Sequence, residues 1–477
     1  MNNKNSLVTK LAFLSVSFMV TSAYAIQGSL PQLKAALGIS QTQSEYLVTT
    51  PSFAVMIFVV LSPLLQQWFN ISDKKIIMAG VTIVGLAGIV PMFANDYTAI
   101  LISRLVLGAG FGLYNSQAIS MISVWYEGTT RAQMLGWRAA AEQIGQACTL
   151  AIAGLILSYA GWHASFAVYL LAFVVLFFFA VRVPDDSKAQ DNNVAEDDLA
   201  EEVTEVEEPI KKISPVVYLL VLFAFLLVVD YVGMENRFPG LTVAIKGSSY
   251  TGSSMFLSLM LIGATLGGLF YGSINKVLGF NTVYLGLGLM AISNFLFAFA
   301  NGNFAMLVIG LLLIGFPLQL VSPLIFNLLP DLAPAKRQPL VTSMVLIGFN
   351  FGAFFSPTIA EWMNRLVGRP MSGLDLAAPF PIYGVMLIVI ALIIFFATRH
   401  ASGRRCGRAL QSISRAPPTG RQMATRLPHR RLTRSSHSSG THSAPASFYT
   451  PVSFSHKNRH HTRRRGTGTP SDNPGHW

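Results

Sequence analysis

Apolar residues in this chain gather into long runs, each near the roughly 20 residues a helix needs to cross a bilayer. The runs cover 8–30, 43–66, 75–94, 98–123, 133–159, 163–182, 215–236, 252–274, 280–300, 304–328, 340–362 and 380–398. Polar and charged residues fall between them, so the pattern predicts an all-α membrane protein of twelve transmembrane helices. Lys4 and Lys10 ahead of a run ending Ala23-Tyr24-Ala25 imitate a secretory signal. The many spans that follow make a retained first helix the expectation.

The longest interruption, Pro184 to Lys212, carries Glu196-Asp197-Asp198 and a further series of glutamates. Too poor in apolar residues to fold alone, it is expected to be a solvated linker. The predicted organisation is therefore a six-helix bundle over 1–183, a cytoplasmic acidic linker over 184–213, a second six-helix bundle over 214–398, and a basic tail over 399–477. The bundles echo each other: Leu107-Gly108-Ala109-Gly110-Phe111-Gly112 resembles Leu312-Leu313-Ile314-Gly315-Phe316-Pro317, and Gln143-Ile144-Gly145 resembles Asn350-Phe351-Gly352. A weak internal repeat of this kind is expected where a site lies between pseudo-symmetric halves.

Composition agrees with lipid as the main solvent, since 52% of residues are apolar and only 12% charged, about half the charged fraction of a soluble domain. The net charge of +12 lies in the tail, which also holds eight of the nine histidines. That tail reads as a disordered extension or a translation in a foreign frame, with an anionic-lipid or nucleic-acid tether as the functional alternative; its basicity says nothing about the partner of the main body, for which no nucleic acid is expected. Cys148 and Cys406 lack partners at metal-ligand spacing, and neither a metal nor a cofactor is expected. Basic residues near span ends place both termini in the cytoplasm, with the protein in the inner (cytoplasmic) cell membrane.

Ionisable groups inside spans are costly, about 2.5–3.5 kcal/mol each on insertion scales, and so become candidates for function. Four are expected to form a proton-coupling charge network: Arg104, Arg138, Glu142 and Asp230. Arg138 and Glu142 stand four apart on one helical face, as an ion pair requires; either a proton-binding carboxylate tuned by its neighbour or a static packing pair fits. Arg104 shares a stripe with Gly108 and Gly112, which let a neighbouring helix approach. Snorkelling to the outer interface is its alternative role. Asp230 lies towards the outer leaflet, with Glu235 and Arg237 near the same exit. Tyr24, Gln27, Asn115, Gln117 and Gln319 add neutral hydrogen-bonding groups suited either to a substrate cavity or to interhelical packing.

Arg104-Leu105-Val106-Leu107-Gly108-Ala109-Gly110 resembles the span-four signature of the major facilitator superfamily, and Gly272-Ser273-Ile274-Asn275-Lys276-Val277-Leu278-Gly279 resembles its gating-loop motif. The first copy of that motif, around Leu65–Asn70 and Asp73-Lys74-Lys75, lacks the Asp-Arg pair. Gly161-Trp162-His163 with Phe166 is similar to drug-transporter members, whereas the span-five antiporter signature is missing. The resemblance implies two rocking six-helix bundles, a cavity lined by the first, fourth, seventh and tenth spans, a coupling role for Arg104, and gating by Asn275 and Lys276.

Walker, His-Glu-x-x-His and Gly-x-Ser-x-Gly motifs do not occur, which excludes a self-contained ATP pump and the commonest hydrolases. A monomeric secondary transporter is expected, moving a small organic solute by proton-coupled export. Uptake of a small organic anion and a non-transporting membrane sensor are the alternatives.

Overall fold

The computed structural model describes residues 6–184, 213–334 and 337–414, so most of the acidic linker and the tail beyond Ser414 lie outside the described residues. Among the described residues every regular element is helical. The first half comprises α1 (Leu7–Phe18), a 3-10 segment (Ser22–Ser29), α2 (Leu30–Leu37), α3 (Gln41–Phe69), α4 (Asp73–Ile89), α5 (Tyr97–Trp125), α6 (Gly128–Ser165) and α7 (Leu171–Arg182). The second comprises α8 (Val216–Lys246), α9 (Ser253–Leu278), α10 (Thr282–Ala298), α11 (Phe304–Leu328), α12 (Gln338–Leu366) and α13 (Phe380–Ser414).

By length and composition, nine stretches among the described residues can cross a membrane, and ten if the bent pair Leu7–Phe18 and Ser22–Leu37 is one span. Two of the nine, Gln133–Arg182 and Ser253–Ala298, contain 50 and 46 residues. At 1.5 Å per residue each is roughly twice as long as the ~30 Å hydrocarbon layer. Each also breaks at a glycine in the left-handed region, Gly161 at φ 79° and Gly279 at φ 55°. Division at those glycines accounts for the twelve crossings that the apolar runs predict. The last helix runs past the expected boundary at 398 as far as Ser414.

The first span is not one straight helix. α1 stops at Phe18, and after a 3-10 segment the chain resumes in α2, bent by 47° from its first course. Such a break frees backbone carbonyls, which a membrane interior tolerates only where other protein groups bond to them.

Buried apolar side chains form two separate cores, one drawn from residues 12–183 and the other mainly from 217–387. Ala147 and Leu150 of α6 are the exceptions, belonging to the second core because α6 packs against α9 across the junction. Large apolar residues such as Phe177, Leu269 and Ile393 point outward, as lipid-facing positions do.

Matching helices pack through matching glycines. A Cβ on Gly145 of α6 would sit 2.0 Å from the Phe18 carbonyl oxygen of α1, and one on Gly352 of α12 would sit 2.5 Å from that of Phe225 of α8. These glycines end the two tripeptides that echo each other in sequence, so the repeat marks equivalent close approaches of helix backbones. Gly108 and Gly110 likewise seat α5 against α3 and α4, while Gly315 and Gly310 seat α11 against α9 and α10.

Candidate functional site

Below, the end of the bundle holding the N-terminus is called proximal and the opposite end distal. Among the described residues, four groups of polar side chains lie between the ends.

The first is on α6 near mid-depth. Arg138 Nη1 lies 3.6 Å from Glu142 Oε2, with the two side chains 12% and 23% exposed. The other terminal nitrogen of Arg138 donates to the side-chain carbonyl of Asn115 on α5. Thr21, in the break after α1, donates to the Glu142 backbone carbonyl at 3.1 Å. Among the described residues, Arg138 Nε is buried without a hydrogen-bond partner. The arrangement is a partly open ion pair, able to exchange its internal contact for a charged or hydrogen-bonding solute. Three of the expected residues, Arg138, Glu142 and Asn115, meet here.

The second group lies in the distal seam between the halves. Gln27 Nε2 donates to Asn236 Oδ1 at 3.0 Å and to Glu235 Oε2 at 3.3 Å. Glu45 Oε1 lies 3.6 Å from Arg237 Nε, with neither side chain exposed. Arg237 Nη1 also donates to Asn364 Oδ1 (2.6 Å) and to the Leu376 carbonyl (2.9 Å). Gln41 donates to Glu45 at 2.9 Å and accepts from Lys34 at 3.2 Å. Around this centre Thr42 donates to Glu361, Tyr46 meets Thr358, Gln32 donates to the Tyr250 carbonyl and Ser258 to the Ala147 carbonyl. Each of these joins one half to the other. Small residues let the backbones close: a Cβ on Gly28 or on Gly154 would fall 1.7 Å or 2.3 Å from Ser254 side-chain atoms.

The third group is internal to the second half, where Asn294 of α10 donates to Asp230 Oδ2 at 2.9 Å. Arg104 is similarly internal to the first half. Its Nε donates to the Leu47 carbonyl at 2.8 Å, Nη1 to Tyr169 Oη at 2.6 Å, and Nη2 to the Ala23 carbonyl. Tyr169 in turn donates to the Ser22 carbonyl at 2.8 Å. Arg104 and Tyr169 thus satisfy carbonyls at the break in the first span. Arg104 is fully buried, so it does not snorkel to an interface.

Of the remaining predicted residues, Tyr24 meets Ser52 at 3.2 Å, and Gln117 donates to Ser62 at 3.1 Å within the first half. Gln319 is half-buried on α11, and Lys276 is exposed at the proximal end of α9 beside half-buried Asn275. Glu45 and Gln41 escaped the sequence reading because they open the second apolar run, where a polar residue reads as interfacial. The available signal was charge complementarity at matching depth, an acid entering the second span opposite a cation leaving the seventh.

A family model for the Major Facilitator Superfamily matches residues 12–280 and 233–431. The chain belongs to that superfamily. It is thus a multi-pass membrane transporter, in agreement with the resemblance carried by the Arg104 and Gly272 segments. Solved structures share the superfamily fold at low identity. A nucleoside transporter, NupG, aligns at 14% identity with a TM-score of 0.64, covering 81% of this chain and 100% of its own. The xylose transporter XylE from E. coli, in an inward-open conformation, aligns at 14% identity with a TM-score of 0.60, covering 81% of this chain and 95% of its own. A peptide transporter, POT, in complex with sulfate aligns at 13% identity with a TM-score of 0.63, covering 82% of this chain and 94% of its own.

Proposed function

We propose that this superfamily member is a proton-coupled exporter of a small organic solute, working by alternating access in the cytoplasmic membrane with its N-terminus in the cytoplasm. The observation that carries the reading is the Arg138–Glu142 pair, half-open at mid-depth on α6, the helix that packs against both halves. A carboxylate held by one cation releases that cation when it takes a proton, and the freed guanidinium then changes what the cavity attracts. Proton movement and solute affinity are linked through that exchange. With the N-terminus inside, the seam around Gln27 and Arg237 closes the outer side.

Uptake of a small organic anion is the second reading, favoured by the unpartnered Nε of Arg138, which offers a hydrogen bond to a carboxylate. The test is flux in sealed vesicles under an imposed proton gradient, with panels of toxic organic cations and of organic acids. Glu142→Gln is expected to abolish gradient-driven flux. Undiminished flux in that variant removes Glu142 from coupling. For Arg138→Ala, loss of acid accumulation with retained cation extrusion, or the converse, decides the direction.

A further inference from the structure

A group that couples proton binding to rocking must meet different surroundings in the two conformations, or its proton affinity cannot bias one of them. Asp230 is held by Asn294 inside one half, and Arg104 by carbonyls inside the other. Glu235 differs: one hydrogen-bonding neighbour, Tyr231, lies on its own helix, but Gln27, which donates to it, belongs to the opposite half. When the seam parts, that contact is lost and water enters.

In the closed seam Glu235 is 1% exposed, and among the described residues no ion pair reaches it. The nearby cations are already engaged. Arg237 is matched by Glu45, and Lys34, half-buried on α2, donates to Gln41. Among the described residues, the other ionisable groups that act on it are Tyr24 from the 3-10 segment and Tyr231 from α8 itself, and neither brings a positive charge. Tyr383 of α13 interacts instead with Arg237, Asp230 and Glu45. Glu361 of α12 is engaged by Arg365 and Thr42, and Asp375, in the loop before α13, by Arg369. Among the described residues, Gln27 Oε1 and Asn236 Nδ2 beside Glu235 are buried without hydrogen-bond partners. A carboxylate anion enclosed in this way lacks both solvation and a counter-charge, so the closed seam disfavours the charged form.

We propose that Glu235 is a proton-binding gate residue: the distal seam closes over the neutral acid and opens when the carboxylate ionises into water. Closing takes up one proton at Glu235 and opening releases it to the distal side, leaving the Glu45–Arg237 pair charge-balanced in both states. The proposal rests on the proton-coupled reading above but concerns the gate and not the mid-depth pair.

The test uses the full chain in lipid nanodiscs, without solute. Cys148 and Cys406 are replaced by serine, and nitroxide labels are placed through Ala36→Cys and Ser248→Cys, both exposed at the distal end on opposite halves. Interlabel distance distributions are recorded between pH 5 and 9 in choline buffer and again in sodium buffer. The expected result is a short distance at low pH giving way to a longer one as pH rises. One released proton allows the open-to-closed ratio to change by up to about tenfold per pH unit. Glu235→Gln is expected to stay short at every pH, and Glu235→Asp to keep the response with a displaced midpoint. That contrast separates titration from simple loss of packing.

A wild-type distance indifferent to pH, or one that follows sodium instead, overturns the proposal. So does a response that survives Glu235→Gln. If the response disappears in Glu142→Gln but persists in Glu235→Gln, the gate assignment fails while the transport reading stands.

Discussion

Removal of Arg237 is the sharpest probe of the seam. Glu45 and Arg237 are both fully enclosed, and loss of one member of a buried pair costs about 3–5 kcal/mol because the other charge is left unmatched. Arg237→Met removes the guanidinium while keeping an unbranched chain of similar reach. It also strands Asn364 Oδ1 and the Leu376 carbonyl, which Arg237 bonds in the intact protein. Glu45→Gln leaves Arg237 unbalanced, although Gln41 can still bond to the new amide. Because the pair bridges the halves, much of the loss falls on the closed form alone. A bias of 3 kcal/mol moves that equilibrium by roughly a hundredfold. The double variant Glu45→Gln/Arg237→Met has no unmatched charge and should recover about 2 kcal/mol relative to the sum of the single losses. The assay is thermal unfolding of purified protein, combined with thiol labelling of a cysteine introduced at Thr50, which is buried in the closed form. Both single variants should label faster than the parent, and the double variant should label at an intermediate rate. Strict additivity in the double variant would refute the idea that the two charges support each other.

Arg104→Met should lower the thermal midpoint sharply, because the Leu47 and Ala23 carbonyls lose their donor at about 1–3 kcal/mol each; unaltered unfolding would contradict the role given to Arg104 at the broken span. Tyr169→Phe should cost less, about 1–2 kcal/mol, since only the hydroxyl linking Arg104 to Ser22 is removed. In Gly108→Val the new Cβ would approach the Pro51 carbonyl oxygen to 2.4 Å, so little monodisperse protein is expected on size-exclusion chromatography. Asp230→Asn replaces a buried carboxyl that has no counter-charge among the described residues and retains a hydrogen-bonding side chain towards Asn294; its thermal midpoint should equal or exceed that of the parent.

The spans were legible because lipid demands unbroken apolar runs, whatever the later packing. Gly145 and Gly352 were legible as a repeat, and the structure gives the reason: each occupies a point where a side chain would strike the backbone of the first helix in its half. The break in the first span was less visible. Gly28 and Pro31 mark its vicinity, but the carbonyls it frees are satisfied by Arg104 and Tyr169, distant along the chain. Arg138 and Glu142 could be paired in advance because a helix fixes neighbours four apart. Glu45 and Arg237 could not, since their meeting depends on how two bundles lean together, and hydropathy carries no record of that angle. Glu235 was placed near an exit by its position along the run, yet its enclosure depends on Gln27, a residue from the opposite bundle.

The contact of Ser254 with Gly28 and Gly154 leaves the seam with no slack. A single added methyl at either glycine would act as a doorstop, propping the distal mouth ajar by the thickness of one carbon while each bundle stayed intact. Such a wedge offers a chemical means of arresting the transport cycle at a chosen point, independent of any charge, pH or solute.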